Sequence, residues 1–188
     1  GEGLLTAFVA GVEAEYALGN LLTDHLFFKG WHPTTVLGSI GATAGVAKVL
    51  GLDAEASGRA LGIAGSHAAS LQTGKGTPVK PFHAGRAAEA GVHFAEMARS
   101  GLPAPLGVFE GDRGFIEVVN DGKCKLAALA ELGRTYALED PGVALKLYPV
   151  CSAAQAAAEE TARILAEEGI AGDDVERVLC EVTPLVAI

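Results

Sequence analysis

Gly30-Trp31-His32-Pro33-Thr34-Thr35-Val36-Leu37-Gly38-Ser39-Ile40-Gly41-Ala42-Thr43-Ala44-Gly45-Val46-Ala47-Lys48-Val49-Leu50-Gly51 is the stretch that decides the fold class. Pro33 and the two threonines open helices readily, and Gly51 is the residue type that stops one. Between them, Val36, Leu37, Ile40, Ala44 and Ala47 form an apolar face, while Gly38, Gly41 and Gly45 form another. A glycine inside a helix costs about 1 kcal/mol relative to alanine, so such a stripe is tolerable only where a second helix lies against it. The stretch reads as a buried core helix.

The flanks extend this reading. Leu5, Phe8, Val9, Val12 and Tyr16 recur at helical spacing, which predicts an amphipathic helix ended by Gly19-Asn20. Asp53 is placed to cap a helix running to about Leu71. The polar loop Gln72-Thr73-Gly74-Lys75-Gly76-Thr77-Pro78 is followed by a helix that ends at Gly101. Prolines and glycines punctuate residues 102–142, with one helix expected near Cys124 to Leu132. From Val143 the period changes: Val143, Leu145 and Leu147 alternate with Ala144, Lys146 and Tyr148, as in a half-buried strand ended by Pro149. Ser152-Ala153-Ala154-Gln155 has the form of a capping box, opening a helix to about Glu168 with Gly169 as its stop. Val178, Cys180 and Val182 then alternate with Leu179 and Glu181 as a second strand. The predicted fold is mainly α: a helical part over residues 1–142 and a strand-helix-strand opening of an α/β part over 143–188. The chain lacks an initiator Met, and its last residues read as a strand without a partner, so a piece of a longer chain is expected.

Composition narrows the function classes. The 188 residues are 49 % hydrophobic with 25 glycines and only 6 % aromatics, which fits tightly packed helices and excludes disorder, collagen and a coiled coil. Fourteen Lys and Arg stand against 23 Asp and Glu, a net charge of -9 that repels nucleic acid and anionic membrane. An anionic small ligand therefore needs a local cationic pocket. Cys124, Cys151 and Cys180 are an odd number without a C-x-x-C, which argues against a disulfide framework, a zinc site or an iron-sulfur site and suits a reducing cytoplasm. No apolar run approaches the ~18 residues of a membrane span, so a soluble protein is expected.

Two places share a design. His32 and Lys80 each precede a proline at a helix start, where unpaired N–H groups and the dipole favour an anion such as a carboxylate. Lys146 and Tyr148 lie together on the alternating face of the first predicted strand, where a domain junction would set them over a cleft. His83, Arg86 and His93 stand at helical spacing, as on a wet surface or a pocket rim; of these, His83 and Arg86, with Tyr148, are the candidate substrate-binding residues. Each has a plainer reading: a hydrogen-bonded histidine beside a tryptophan, or a solvated lysine. His67 reads as a core histidine; Lys29, Lys48 and Lys75 read as solvent-facing. The loop around Gly74 and Gly76 is a gate or a connection, and has no P-loop pattern.

Together, the strings Gly30–Gly38, Ala60-Leu61-Gly62-Ile63-Ala64-Gly65-Ser66, Val79-Lys80-Pro81-Phe82-His83-Ala84-Gly85-Arg86-Ala87-Ala88, Val108-Phe109-Glu110-Gly111 with Gly114-Phe115, and Leu145-Lys146-Leu147-Tyr148-Pro149-Val150-Cys151-Ser152 resemble the MmgE/PrpD family. That family includes 2-methylcitrate dehydratase, cis-aconitate decarboxylase and iminodisuccinate epimerase. The resemblance implies a helical domain joined to an α/β lid, an active site between them, a homodimer built on the helical part, and cofactor-free, metal-independent chemistry on di- and tricarboxylates. The family's G-[WF]-H-P histidine matches His32, its K-P-[FL]-H lysine matches Lys80, and its K-x-[YF]-P lysine matches Lys146; these are the implied catalytic residues. Some decarboxylases carry a histidine where this chain has Cys151, which implies the dehydratase-like branch. The family's upstream aspartate and histidine have no counterpart before Gly1, so a non-catalytic dimerisation or ligand-binding piece is the competing expectation.

Dehydration, decarboxylation and epimerisation of such acids all develop negative charge beside a carboxylate, and cations in a dry cleft stabilise that charge best. Lys80 and Lys146 suit this role, and His32 suits proton transfer. The expected reaction is acid-base elimination by a hydro-lyase, with an epimerase or a decarboxylase as the alternatives.

Overall fold

The structure, a computed structural model, describes residues 1–183. The chain divides into two units, Gly1–Gly142 and Val143–Ile188.

In the first unit, α1 (Glu2–Leu22), α3 (Pro33–Val49) and α5 (Val79–Arg99) are the long helices, joined by short α2 (His25–Phe28), α4 (Ala54–His67) and α6 (Phe115–Asn120). The central helix is α3, packed on both α1 and α5. Its glycines meet what the sequence requires. A Cβ placed on Gly11 of α1 would stand 2.8 Å from the carbonyl oxygen of Gly41, and one on Gly41 would stand 2.8 Å from that of Gly11. The two backbones touch directly.

That contact overturns the predicted face of α1. Its buried residues are Ala7, Gly11, Leu18, Leu21 and Leu22, while Leu5 and Phe8 are 68 % and 63 % exposed. Backbone contact admits only small side chains at the crossing, so the larger apolar residues turn outward. Nor does Gly19-Asn20 end the helix: Gly19 packs toward Leu37, and the chain turns at Thr23, with φ 58°. The polar side of α1 anchors distant chain. The Glu13 carboxylate accepts from the backbone N–H groups of Ala137 and Leu138, and the Tyr16 hydroxyl donates to the Gly142 carbonyl.

Asp53 caps α4 as expected, accepting from the Ala56 N–H at 2.8 Å. The helix stops at His67, short of Leu71, because residues 70–72 leave it to pair with residues 30–32. The core gathers Leu18, Leu21, Leu22, Leu26, Val36, Ile40, Ala64, Phe94, Phe115 and Val119. Near Cys124 the expected helix is a 3-10 segment, Leu126–Glu131.

In the second unit the predicted helix is present as α7 (Gln155–Glu168), closed by Gly169 in the left-handed conformation at φ 64°. The two predicted strands are not. No β-strand occurs among the described residues; Val143–Leu147 and Val178–Val182 are irregular, and the end of the second, over 184–188, lies outside the described residues. Alternation marks which side chains could share a face, but a strand exists only when a neighbour supplies its hydrogen bonds, and here a side chain supplies them instead. Gln155 accepts from the N–H groups of Leu147 and Tyr148 and donates to the carbonyls of Tyr148 and Val150. The capping box is displaced by the same contacts: Ser152–Ala154 form a 3-10 turn, and Gln155 is the first residue of α7.

Candidate active site

His32 is the N-cap residue of α3, held extended at φ -89°, ψ 102° as a residue before proline must be. Its strand-like neighbours fix its position. The His32 N–H donates to the Ser70 carbonyl and the Gln72 N–H to the Gly30 carbonyl, forming an isolated antiparallel bridge between Trp31 and Leu71. The Gln72 side-chain amide also donates to the carbonyls of Phe27 and Trp31, and the Trp31 indole N–H donates to the Val119 carbonyl.

The imidazole is 5 % exposed and meets a second one: Nδ1 of His32 lies 3.0 Å from Nδ1 of His83. His83 reaches it from the first turns of α5. The sequence places Lys80 before a helix-opening proline, but α5 begins at Val79, behind Pro78, and Lys80 stands half-buried inside its first turn. Pro81 is tolerated there because first-turn N–H groups have no intrahelical partner to lose. Lys80 and His83 thus sit at the same end of α5, three residues apart. Burial, followed by the charges of His83, Lys80 and Lys75, holds the His32 pKa below the ordinary histidine range.

His83 also lines a hollow of about 500 Å³ with Leu71, Thr73, Gly74, Thr77 and Val79. Gly74 packs closely against it: a Cβ there would stand 2.8 Å from Val79 Cγ1 and 3.8 Å from His83 Cε1. In the first turn of α3 the Thr35 hydroxyl is buried with no hydrogen-bond partner among the described residues.

The other predicted site residues fall elsewhere. Arg86 is exposed and engaged in an ion pair with Glu89, as a surface residue would be. Lys146 and Tyr148 belong to the second unit, Lys146 exposed and Tyr148 half-buried. His67 is exposed, with its ring against Phe94, rather than a core residue. Lys29, expected in solvent, pairs with Asp121, which also bonds His25. These two contacts, the Lys29 bond foremost, bring the Asp121 carboxyl down to about 2. Lys75 is exposed, as expected, but sequence reasoning missed that its ammonium, 4.4 Å from the centre of the Phe27 ring, contributes to the field at His32. Its only signal was a cation in the loop preceding Lys80.

The lowered His32 pKa fixes the sign of a pH effect. Between the folded and unfolded pKa values the unfolded chain binds more protons, so the contribution of His32 to stability is present above the ordinary histidine range and is lost as pH falls through it. Urea midpoints should fall between pH 7.5 and pH 5.5, and the fall should be smaller in His32→Gln. An equal fall in the two proteins would contradict this assignment.

Among the described residues no three His, Cys, Asp or Glu side chains gather as a metal site needs, and no helix is long and apolar enough to cross a membrane. Sequence comparison gives three relatives of one name. The chain is 30 % identical to human cis-aconitate decarboxylase over 189 aligned residues, covering 97 % of this chain and 39 % of the relative. It is 34 % identical to mouse cis-aconitate decarboxylase over 116 residues, covering 61 % and 24 %. It is 28 % identical to cis-aconitate decarboxylase of Aspergillus terreus over 163 residues, covering 80 % and 32 %. The chain thus spans about two-fifths or less of the length of these relatives. The family model described as the MmgE/PrpD N-terminal domain matches residues 1–127, so the chain with its paired histidines belongs to the MmgE/PrpD family.

Proposed function

We propose that this chain forms part of a lyase that acts on a small di- or tricarboxylate by acid-base chemistry, with the helical unit supplying His32 and Lys80 and the second unit opening an α/β lid that supplies Lys146. The observation that carries the reading is the meeting of His32 and His83, Nδ1 to Nδ1 at 3.0 Å, at the end of α5 that also carries Lys80, in a protein of net charge -9. Such a cluster binds carboxylates and stabilises an enolate-like charge developing beside one.

His32 is the proton-transfer group, since the charges around it favour its neutral form, which can act as a base near neutral pH. Lys80 holds a substrate carboxylate, and Lys146 of the second unit is the second carboxylate-binding lysine that the resemblance implies. Cys151, in the position where some decarboxylases of the family carry histidine, supports elimination of water in the manner of 2-methylcitrate dehydratase. A decarboxylase is the second reading, favoured by the three relatives of that name. A homodimer built on the helical unit and a cytoplasmic setting complete the proposal.

The test is incubation with 2-methylcitrate, citrate and cis-aconitate in deuterated water. New ultraviolet absorbance from an unsaturated product supports the dehydratase; carbon dioxide released from cis-aconitate supports the decarboxylase. Solvent deuterium uptake without new absorbance indicates an epimerase, and absence of turnover with every acid overturns the enzymatic reading.

A further inference from the structure

We propose that His32 and His83 work as a single proton-relay pair, in which His83 sets the tautomer of His32 and carries the proton between it and solvent. The relay role rests on the lyase reading above; the pairing itself rests on geometry. The two Nδ1 atoms are 3.0 Å apart, with the ring centres 5.2 Å apart and the planes inclined at 46°. A contact of this kind holds one hydrogen, so one Nδ1 donates and the other accepts.

The consequence is a fixed pairing of tautomers. In the neutral pair, the ring whose Nδ1 donates has a bare Nε2 and is a base there, and the ring whose Nδ1 accepts carries its hydrogen on Nε2 and is an acid there. One further proton can be added, giving a pair of charge +1 with both Nε2 atoms protonated. A second would set two N–H groups against each other, between two cations and beside Lys80 and Lys75, which already act on His32. The first added proton therefore belongs to the pair and not to either ring alone.

With His32 as the Nδ1 donor, proton abstraction balances atom by atom. His32 Nε2 forms a bond to the substrate proton as the substrate C–H bond breaks, its electron pair remaining on the substrate. The Nδ1–H bond of His32 breaks as that of His83 forms, and the Nε2–H bond of His83 breaks, releasing its proton to water. The rings exchange tautomers and no net charge stays on them. Burial divides the labour: His32 is almost closed to solvent, whereas His83 is half-buried and lines the hollow beside Gly74. Proton return in the second half-reaction follows the same path backwards. His83 is accordingly a positioning residue that acts through His32.

The experiment is nitrogen-15 NMR of the histidine side chains in the full chain, titrated without substrate. The expected result is one ring protonated at Nδ1 and the other at Nε2 in the neutral state, with both sharing the first transition. His83→Asn, whose side-chain carbonyl oxygen can stand in for the accepting Nδ1, should keep the His32 tautomer while removing its coupled transition. In the proposed reaction the same variant should lower turnover about 10²-fold and flatten the pH profile. Independent transitions in the unmodified chain, with both rings protonated at Nε2, would overturn the pairing without recourse to any variant. Coupled rings in a chain that turns over no polycarboxylate would leave the pairing standing and defeat the lyase reading alone; turnover with uncoupled rings would do the reverse.

Discussion

Gly91→Ala should destabilise the chain by about 1–2 kcal/mol, while the same substitution six residues earlier on the same helix, Gly85→Ala, should stabilise it by about 0.5–1 kcal/mol. Helix propensity alone predicts the same gain at both positions. Contact separates them. A Cβ on Gly91 would stand 2.5 Å from Ala42 Cβ, 2.7 Å from the Ala42 carbonyl carbon and 2.8 Å from the Thr43 nitrogen, whereas one on Gly85 would meet nothing within 4 Å. Two of the three atoms obstructing Gly91 are backbone, which cannot rotate away, so α3 and α5 would have to separate along their shared surface. Overpacking of a filled interface typically costs 1–3 kcal/mol, which outweighs the propensity gain of about 1. Urea denaturation of the two variants checks this. Equal shifts of the same sign would show that the helices are not in backbone contact at Gly91.

The same physics explains how much of the fold could be read from residues alone. The glycine stripe of α3 identified a backbone-to-backbone helix crossing because glycine has a cost that only a close neighbour justifies. It did not identify which face of α1 meets it: there the largest apolar residues, Leu5 and Phe8, point outward, and periodicity weighted by size selects the wrong side. Helix caps were legible where one residue decides them, as at Asp53 and Gly169. They were misread where a distant contact competes, as when Gln155 leaves its capping role to serve the backbone of residues 147–150. Strands are the extreme case, because alternation is local and pairing is not.

The site divides in the same way. His32 could be picked out because the residue before a proline is forced into an N-cap geometry by its own neighbours. That His83 would meet it is a statement about α5 crossing the start of α3, and no spacing within either helix contains it. Its helical spacing from Arg86 and His93 suggested a common rim, yet Arg86 turns to Glu89 and His83 turns inward.

Lys80→Met should lower kcat/KM toward a polycarboxylate by about 10²–10³-fold, chiefly through kcat, because the lost ammonium is assigned to charge that develops during reaction. Methionine nearly keeps the length of the side chain, so the half-buried first turn of α5 stays filled and the loss reports charge. A second readout needs no substrate. Lys80 is one of the groups that hold the His32 pKa down, so removing its charge should raise the midpoint of the His32 transition, and Lys80→Arg should leave it low. Lys75→Met is the comparison. Its ammonium is the last named of the charges acting on His32 and lies over the Phe27 ring on an exposed residue, so water screens most of its field and the loss in activity should stay within about tenfold. Equal losses in the two variants would mean that general attraction of an anion, and not a lysine placed at the reacting carboxylate, accounts for the cationic cluster. Unchanged kinetics in Lys80→Met would remove Lys80 from the chemistry altogether, leaving the two imidazoles to act without it.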